Sequence, residues 1–305
     1  MLILQCRYRH NIYAVRSLVC RACGPLCTCC AAIIAKGDVN AVVNTCRSVN
    51  NEQLNDILLE IVDYGTTEML DLISDAGIRC NAIYKNYTLL EYAVVCNRPD
   101  MVKWCLKHPD FTLVNRYECS YAAKYGYIDI LKLLLDAGID ASGVDETGSN
   151  GLHWAAQENR QEICNILLNH RCCVNQLDCH GDTPLYTAAS WGNKQIAEAL
   201  LKHNAHVDLC GIWFGTTPFM ISCAEDFFEI CNMLLEFGAD INATDSDGMT
   251  AAHRAAIKND EKLLEYLRHH DADFSIKDAK DVSATDILQD DELRKSLYYE
   301  YFEAD

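Results

Sequence analysis

Apolar residues recur at a helical period in several stretches of the chain. The clearest are Ile128, Leu131, Leu134 and Leu135; Ile196, Ala197, Leu200 and Leu201; and Ile230, Cys231, Leu234 and Leu235. Steps of one, three and four residues put each set on one helical face, so each stretch predicts a helix with a single buried stripe. Gly138 and Gly238 follow two of them and supply the stop. Ahead of each helix runs a second, shorter apolar pattern opening on a polar turn: Gly181-Asp182-Thr183-Pro184-Leu185, Gly215-Thr216-Thr217-Pro218-Phe219 and Gly248-Met249-Thr250-Ala251-Ala252. Thr183 and Thr217 stand where a hydroxyl can cap a helix. Pro184 and Pro218 take the first helical position, where a missing N–H costs nothing. The pattern therefore predicts pairs of short helices, with Gly126 and Gly192 in tight turns inside two of the pairs and Ala188-Ala189 and Ala255-Ala256 allowing close helix approach.

The pairs keep a fixed phase. Thr183, Thr217 and Thr250 are 34 and 33 residues apart, and equal steps reach Asn150 and Tyr117 in one direction and Ser283 in the other. Shorter, weaker copies are anchored at Thr88, Asp56 and Thr28. With Gly151-Leu152-His153-Trp154-Ala155-Ala156 and Ala251-Ala252-His253-Arg254-Ala255-Ala256 in the same register, the chain resembles the ankyrin-repeat family over about residues 28–300, in some nine units. The resemblance implies an all-α solenoid of stacked helix-turn-helix units with β-turn fingers. The expected division is a basic, cysteine-rich segment at 1–27, the repeats at 28–288, and a polar capping helix with an acidic tail at 289–305. One such unit cannot bury its apolar face alone, so stacking should give one continuous core. Asp145, Asp178 and Asp245, each three residues before a glycine, read as finger aspartates that satisfy turn donors. Arg171, Asn204 and Asp271 replace the usual glycine after the second helix. The units at Asp56 and Thr88 lack the Thr-Pro start and should be less regular.

Charge changes the picture next. The 305 residues carry 44 acids against 26 Lys and Arg, a formal net charge of −18, which argues against a nucleic-acid or anionic-membrane surface. Residues 1–37 hold five cations and no acid, so the acidity lies in the remainder. Partners are expected to be basic, or to offer an apolar anchor. The 18 cysteines are scattered along periodic segments, and the apolar start Met1–Leu4 is broken at once by Gln5, Arg7 and Arg9. Free thiols in a reducing compartment, cytoplasmic or nuclear, are expected, with no transmembrane segment and a monomeric chain.

No catalytic constellation stands apart from the repeat, so the chain is expected not to be an enzyme and to need no cofactor. His153 and His253 occupy the structural histidine of the resembled motif. Asp245-Ser246-Asp247-Gly248 lacks the first carboxylate and the closing glutamate of a calcium loop and reads as a turn. Cys20, Cys23, Cys27, Cys29 and Cys30 leave three readings open: a zinc site, palmitoylation, or thiols without a special role. The resemblance also makes Asn242, in Leu234–Asn242, a candidate for asparagine hydroxylation.

What remains is a surface. In the resembled fold the residues four and eight after each anchor line the concave face. Here they include Tyr92, Tyr121, Trp154 and Arg254, and Tyr125, Glu158, Trp191, Glu225 and Lys258. Large aromatics with polar tips rimmed by acids suit an interface, and they suit packing between units equally. The finger before Thr217 is one residue longer than its neighbours and carries Ile212, Trp213 and Phe214, an apolar tip that suits a partner contact. The expected function is a protein-interaction module, a scaffold, adaptor or inhibitor; the alternative is a substrate-recruiting or regulatory subunit of an enzyme complex such as a ubiquitin ligase.

Overall fold

The computed structural model describes residues 34, 36–78, 83–84, 87–108, 117–211 and 215–295. The chain divides between Val114 and Asn115 into two compact units, inside the stretch read from sequence as one repeat array. The cysteine cluster at 20–30, the anchor Thr28, the finger tip Ile212-Trp213-Phe214 and the tail beyond 295 lie outside the described residues.

The first unit contains α1 (Val39–Ser48), α2 (Asn51–Tyr64) and α3 (Thr67–Asp75). After them come the two-residue strands β1 (Ile83–Tyr84) and β2 (Tyr87–Thr88), then α4 (Leu89–Val95) and α5 (Pro99–Lys107). The strands pair antiparallel with Ile83 opposite Thr88, a small β element in an otherwise helical chain. The anchor expected at Asp56 is corrected here. Asn50 caps α2 through a reciprocal capping box with Gln53, so that helix starts six residues early and Asp56 lies inside it. Asn and Gln at this spacing satisfy two orphan donors, which outweighs the repeat register.

The second unit follows the sequence pattern closely. Its first helices are α6 (Glu118–Tyr125), α8 (Gly151–Gln157), α10 (Pro184–Ser190), α12 (Pro218–Ala224), α14 (Ala251–Lys258) and α16 (Ala284–Gln289). The second helices are α7 (Ile128–Asp136), α9 (Gln161–Asn169), α11 (Lys194–Lys202), α13 (Phe228–Glu236) and α15 (Glu261–His269). First helices pack on first helices from α6 through α16, and α9, α11 and α13 pack in a second layer. Ala122, Ala123, Ala155, Ala156, Ala188, Ala189, Ala255 and Ala256 are fully buried, as close approach of the layers requires. Thr183 and Thr217 accept the N–H of Tyr186 and Met220 at 3.0 and 3.2 Å, with proline following at the first helical position. The glycine substitutes Arg171, Asn204 and Asp271 keep the left-handed backbone, with φ of 58°, 64° and 58°. Residues 291–295 are helical, with Asp290 accepting the N–H of Glu292 and Leu293 at 3.0 Å.

Side chains tie each unit to the next. Arg160 donates to the Lys124 carbonyl at 3.0 Å and Asn193 to the Ala156 carbonyl at 2.6 Å, each capping the end of the preceding first helix. Gly126 has φ +80°, which disfavours any side chain, and a Cβ there would force the tip of Arg160 to move from its place against the helix end. On the second-helix side, Ser142 Oγ, Asn175 Oδ1, Asp208 Oδ2 and Asn242 Oδ1 accept the N–H of Cys173, His206, Asp240 and Asp273 at 2.8–3.0 Å, one rung per junction.

Candidate partner-binding surface

The fingers are built on single aspartates. Asp145 Oδ1 accepts the N–H of Thr147 and Ser149, Asp178 Oδ1 those of His180 and Asp182, and Asp245 Oδ1 those of Asp247 and Met249, at 2.8–3.2 Å. The faint calcium-like run at Asp245 is therefore a braced turn, its second oxygen also taken, by Arg254 at 2.8 Å.

Four residues expected on the concave strip, Tyr92, Tyr121, Trp154 and Arg254, are buried or half-buried and bonded in this way. Trp154 Nε1 donates to Asp145 Oδ2, Tyr121 to Glu146 and Tyr92 to Asp63, each at 2.8 Å. Tyr92, Tyr121 and Trp154 are only 5%, 3% and 5% exposed, so they are packing residues and not a presented surface. Their polar tips find carboxylates, buried at Asp145, half-buried at Asp63 and exposed at Glu146, which lets the rings leave water without stranding a donor. In the first unit, burial, reinforced by the nearby Cys96 and Asp63, pushes the Tyr92 phenol well up. Arg254 is half-buried and ion-paired to Asp245, whose side chain is 2% exposed; it also lines a shallow recess with Met220, Cys223 and Lys258. Tyr125 is half-buried and ring-stacked between Tyr121 and Tyr127. Lys124 lies 4.0 Å over the Trp154 ring, and burial lowers its pKa.

Apart from Tyr125, the expected residues eight after each anchor behave differently. Glu158, Trp191, Glu225 and Lys258 are all exposed, and Trp191 at 45% is one of the few large apolar side chains open to solvent among the described residues. Asp182 and Tyr186, which sequence reasoning did not single out, are half-buried. Burial and the nearby Asp178 carry the Asp182 carboxyl up to about 6, and burial with Asp182 carries the Tyr186 phenol to about 12. Their only signal was an extra acid beside the finger aspartate. Asn242 is half-buried, its side-chain oxygen already holding the Asp273 N–H.

The remaining polar groups serve the scaffold. His153 and His253 each accept their own N-cap N–H on Nδ1, at 3.2 and 3.1 Å, so Nε2 carries the proton that reaches the carbonyls of Asp182 and Val282 at 3.1 Å. Burial lowers the His153 pKa and keeps the ring neutral. Cys164 and Cys172 are buried and pushed up to about 12, leaving them as thiols. Among the described residues no His, Cys, Asp and Glu side chains gather into a metal-binding group, and no helix is long and apolar enough to cross a membrane.

Comparison with known proteins agrees with this architecture. A family model of ankyrin repeats in three copies matches residues 119–209 and 205–278, and a single-repeat model matches 85–113. The chain is an ankyrin-repeat protein. It is 33% identical over 153 residues to an L-asparaginase of Dirofilaria immitis, covering 50% of this chain and 26% of that protein. It is 30% identical over 160 residues to human neurogenic locus notch homolog protein 2, covering 52% of this chain and 5% of that one. It is 26% identical over 213 residues to the palmitoyltransferase AKR1 of Lachancea kluyveri, covering 68% and 25%. The chain thus spans about a quarter or less of the length of these relatives. The activities in two of those names show no catalysis here. Ankyrin repeats bind protein partners, and this one presents an exposed row beside a buried, hydrogen-bonded scaffold.

Proposed function

We propose that this ankyrin-repeat protein is an interaction module that holds a partner protein against the exposed row of its second unit and the finger before Thr217, acting as a scaffold, adaptor or inhibitor. The observation that supports it is the division of labour along each first helix. Positions that brace the stack are buried and bonded, as at His153, Trp154 and His253, whereas Glu158, Trp191, Glu225 and Lys258 are exposed and differ in chemistry from unit to unit. A scaffold side chain is fixed by its neighbours; an exposed one is free to vary with the ligand.

Ile212, Trp213 and Phe214 add an apolar anchor of the kind that carries interface energy. The test replaces Trp213 and Phe214 with serine and compares affinity capture, read by mass spectrometry, with thermal unfolding. The expected result is an unchanged midpoint and loss of the proteins captured by the wild type. A large loss of stability with capture intact would make the finger part of the core and sink this reading of it.

A further inference from the structure

Glu158, Trp191 and Glu225 terminate α8, α10 and α12 at the same C-cap position, and their backbones superimpose in conformation: φ −93°, ψ 8°; φ −98°, ψ 2°; φ −101°, ψ 10°. Equal backbone angles at equivalent ends of successively packed helices place the three residues in one row. Helices in contact lie about 8–10 Å apart, so the row repeats at that interval. Trp191 is 45% exposed and has no ring or cation stacked on it among the described residues. Glu225 makes no ion pair among them; Glu158 has a long contact to Arg160 at 3.8 Å and lies near Lys124, with its side chain 47% exposed. Elsewhere in the same unit aromatic faces do take cations: Lys124 covers Trp154 and Lys262 covers Phe228 at 4.5 Å.

Resting on the interaction-module reading, we infer that Glu158, Trp191 and Glu225 form a cradle for a basic segment of the partner in polyproline II conformation, with a cation at every third residue. An indole face prefers a cation, most of all a guanidinium, which is weakly hydrated and can lie flat on the ring. A carboxylate on either side sets the sign of the flanking positions, in keeping with the net charge of −18. The period selects the backbone. A polyproline II helix repeats every three residues with a rise of about 3.1 Å, which returns a side chain to the same face every ~9.3 Å. That matches the spacing of the first helices. A β-strand returns side chains to one face every ~6.6–6.8 Å and falls out of step across three helices.

The test uses fluorescein-labelled heptapeptides read by anisotropy at low salt. One has arginine at the first, fourth and seventh positions with prolines between; a second has the same composition with its first two arginines adjacent; a third carries citrulline for arginine. The in-phase peptide should bind more tightly than the out-of-phase one, and the citrulline peptide should not bind. Trp191→Ala should weaken in-phase binding by about two- to thirtyfold. Glu158→Gln and Glu225→Gln should each weaken it and reduce its salt dependence. Glu236→Gln, an exposed acid on α13 outside the row, should leave it unchanged. Equal binding of the two arginine peptides, or equal loss with Glu236→Gln, would overturn the cradle in favour of diffuse attraction to an acidic surface. Loss of partner capture in the Trp213/Phe214 variant would still uphold the interaction reading in that case, so the two ideas fail separately. Unchanged circular dichroism of Trp191→Ala establishes that the effect is not unfolding.

Discussion

Arg254 was expected on the binding surface, and its bond to Asp245 makes it part of the frame instead; removing either partner measures which role holds. Asp245 has a side chain 2% exposed, with two N–H donors on Oδ1 and Arg254 on Oδ2, whereas Arg254 keeps 26% of its side chain in solvent. Breaking a fully buried pair costs about 3–5 kcal/mol. Here the guanidinium can be partly rehydrated, so Asp245→Asn, which keeps an oxygen for the two turn donors, should cost about 2 kcal/mol. Arg254→Met is the harsher change, because it strands a carboxylate oxygen that water cannot reach, and about 3 kcal/mol is expected. The double variant should be less destabilised than the sum of the two by about 1–2 kcal/mol, since each single variant already removes the shared bond. Urea unfolding followed by far-UV circular dichroism on all four proteins gives this coupling. A coupling below about 0.5 kcal/mol, or an Arg254→Met protein as stable as the wild type, would show that the pair does not hold the finger and would return Arg254 to the candidate surface.

Three further outcomes test the frame. Gly126→Ala should lose about 1–2 kcal/mol for its left-handed φ and up to about 1 kcal/mol more where the Arg160 tip must leave the Lys124 carbonyl, an increment absent in an Arg160→Ala background; equal losses in both backgrounds would refute the contact. Arg171→Gly should raise stability by about 0.5–1 kcal/mol, because Arg171 sits at φ +58°, and a lowered thermal midpoint would count against strain there. Asp182 carries a raised carboxyl pKa of about 6 against about 3.9 when unfolded, so the folded form binds its proton more tightly and stability is lost as pH rises from about 4 through about 6. After discounting for partial exposure, Asp182→Asn should be the more stable protein by about 1 kcal/mol at pH ~7 and equal to the wild type near pH ~4; a difference flat across that range would refute the assignment.

The phase of the second unit was legible because its determinants are local. A threonine and a proline act within one helix at both Thr183 and Thr217, and an alanine pair joins them after Thr183. The braces were half legible: Asp145 with Trp154 and Asp245 with Arg254 share a nine-residue spacing that sequence could have exposed. The fate of the other aromatics was not legible. Tyr121 turns inward toward Glu146, 25 residues ahead, and Tyr92 toward Asp63, 29 residues back, so the outcome depends on a different finger or helix. At Asp56 the repeat register was correct as arithmetic and wrong as a helix start, since the capping box at Asn50 lies outside the repeat.

The same bonding logic shows where this stack is least braced. At three junctions the residue three after the anchor reaches the carbonyl just before the next anchor: Ser120 to Ser149 at 2.9 Å, His153 to Asp182 and His253 to Val282 at 3.1 Å. Tyr186 and Met220 hold that position in the units at Thr183 and Thr217 and make no such bond to Thr216 or Met249, so both faces of the unit at Thr217 lack it. The finger of that unit also has Ile212 where its neighbours place their bracing aspartates, Asp178 and Asp245. Each missing bond forgoes about 0.5–1.5 kcal/mol of net stability. Under the proposed function, a partner that covers the finger supplies stabilisation in proportion to the logarithm of its concentration over its dissociation constant. The unit at Thr217, which lacks this one bond at both of its junctions among the described residues, therefore has the more to gain from a partner, and its finger is one residue longer and more apolar in sequence than its neighbours.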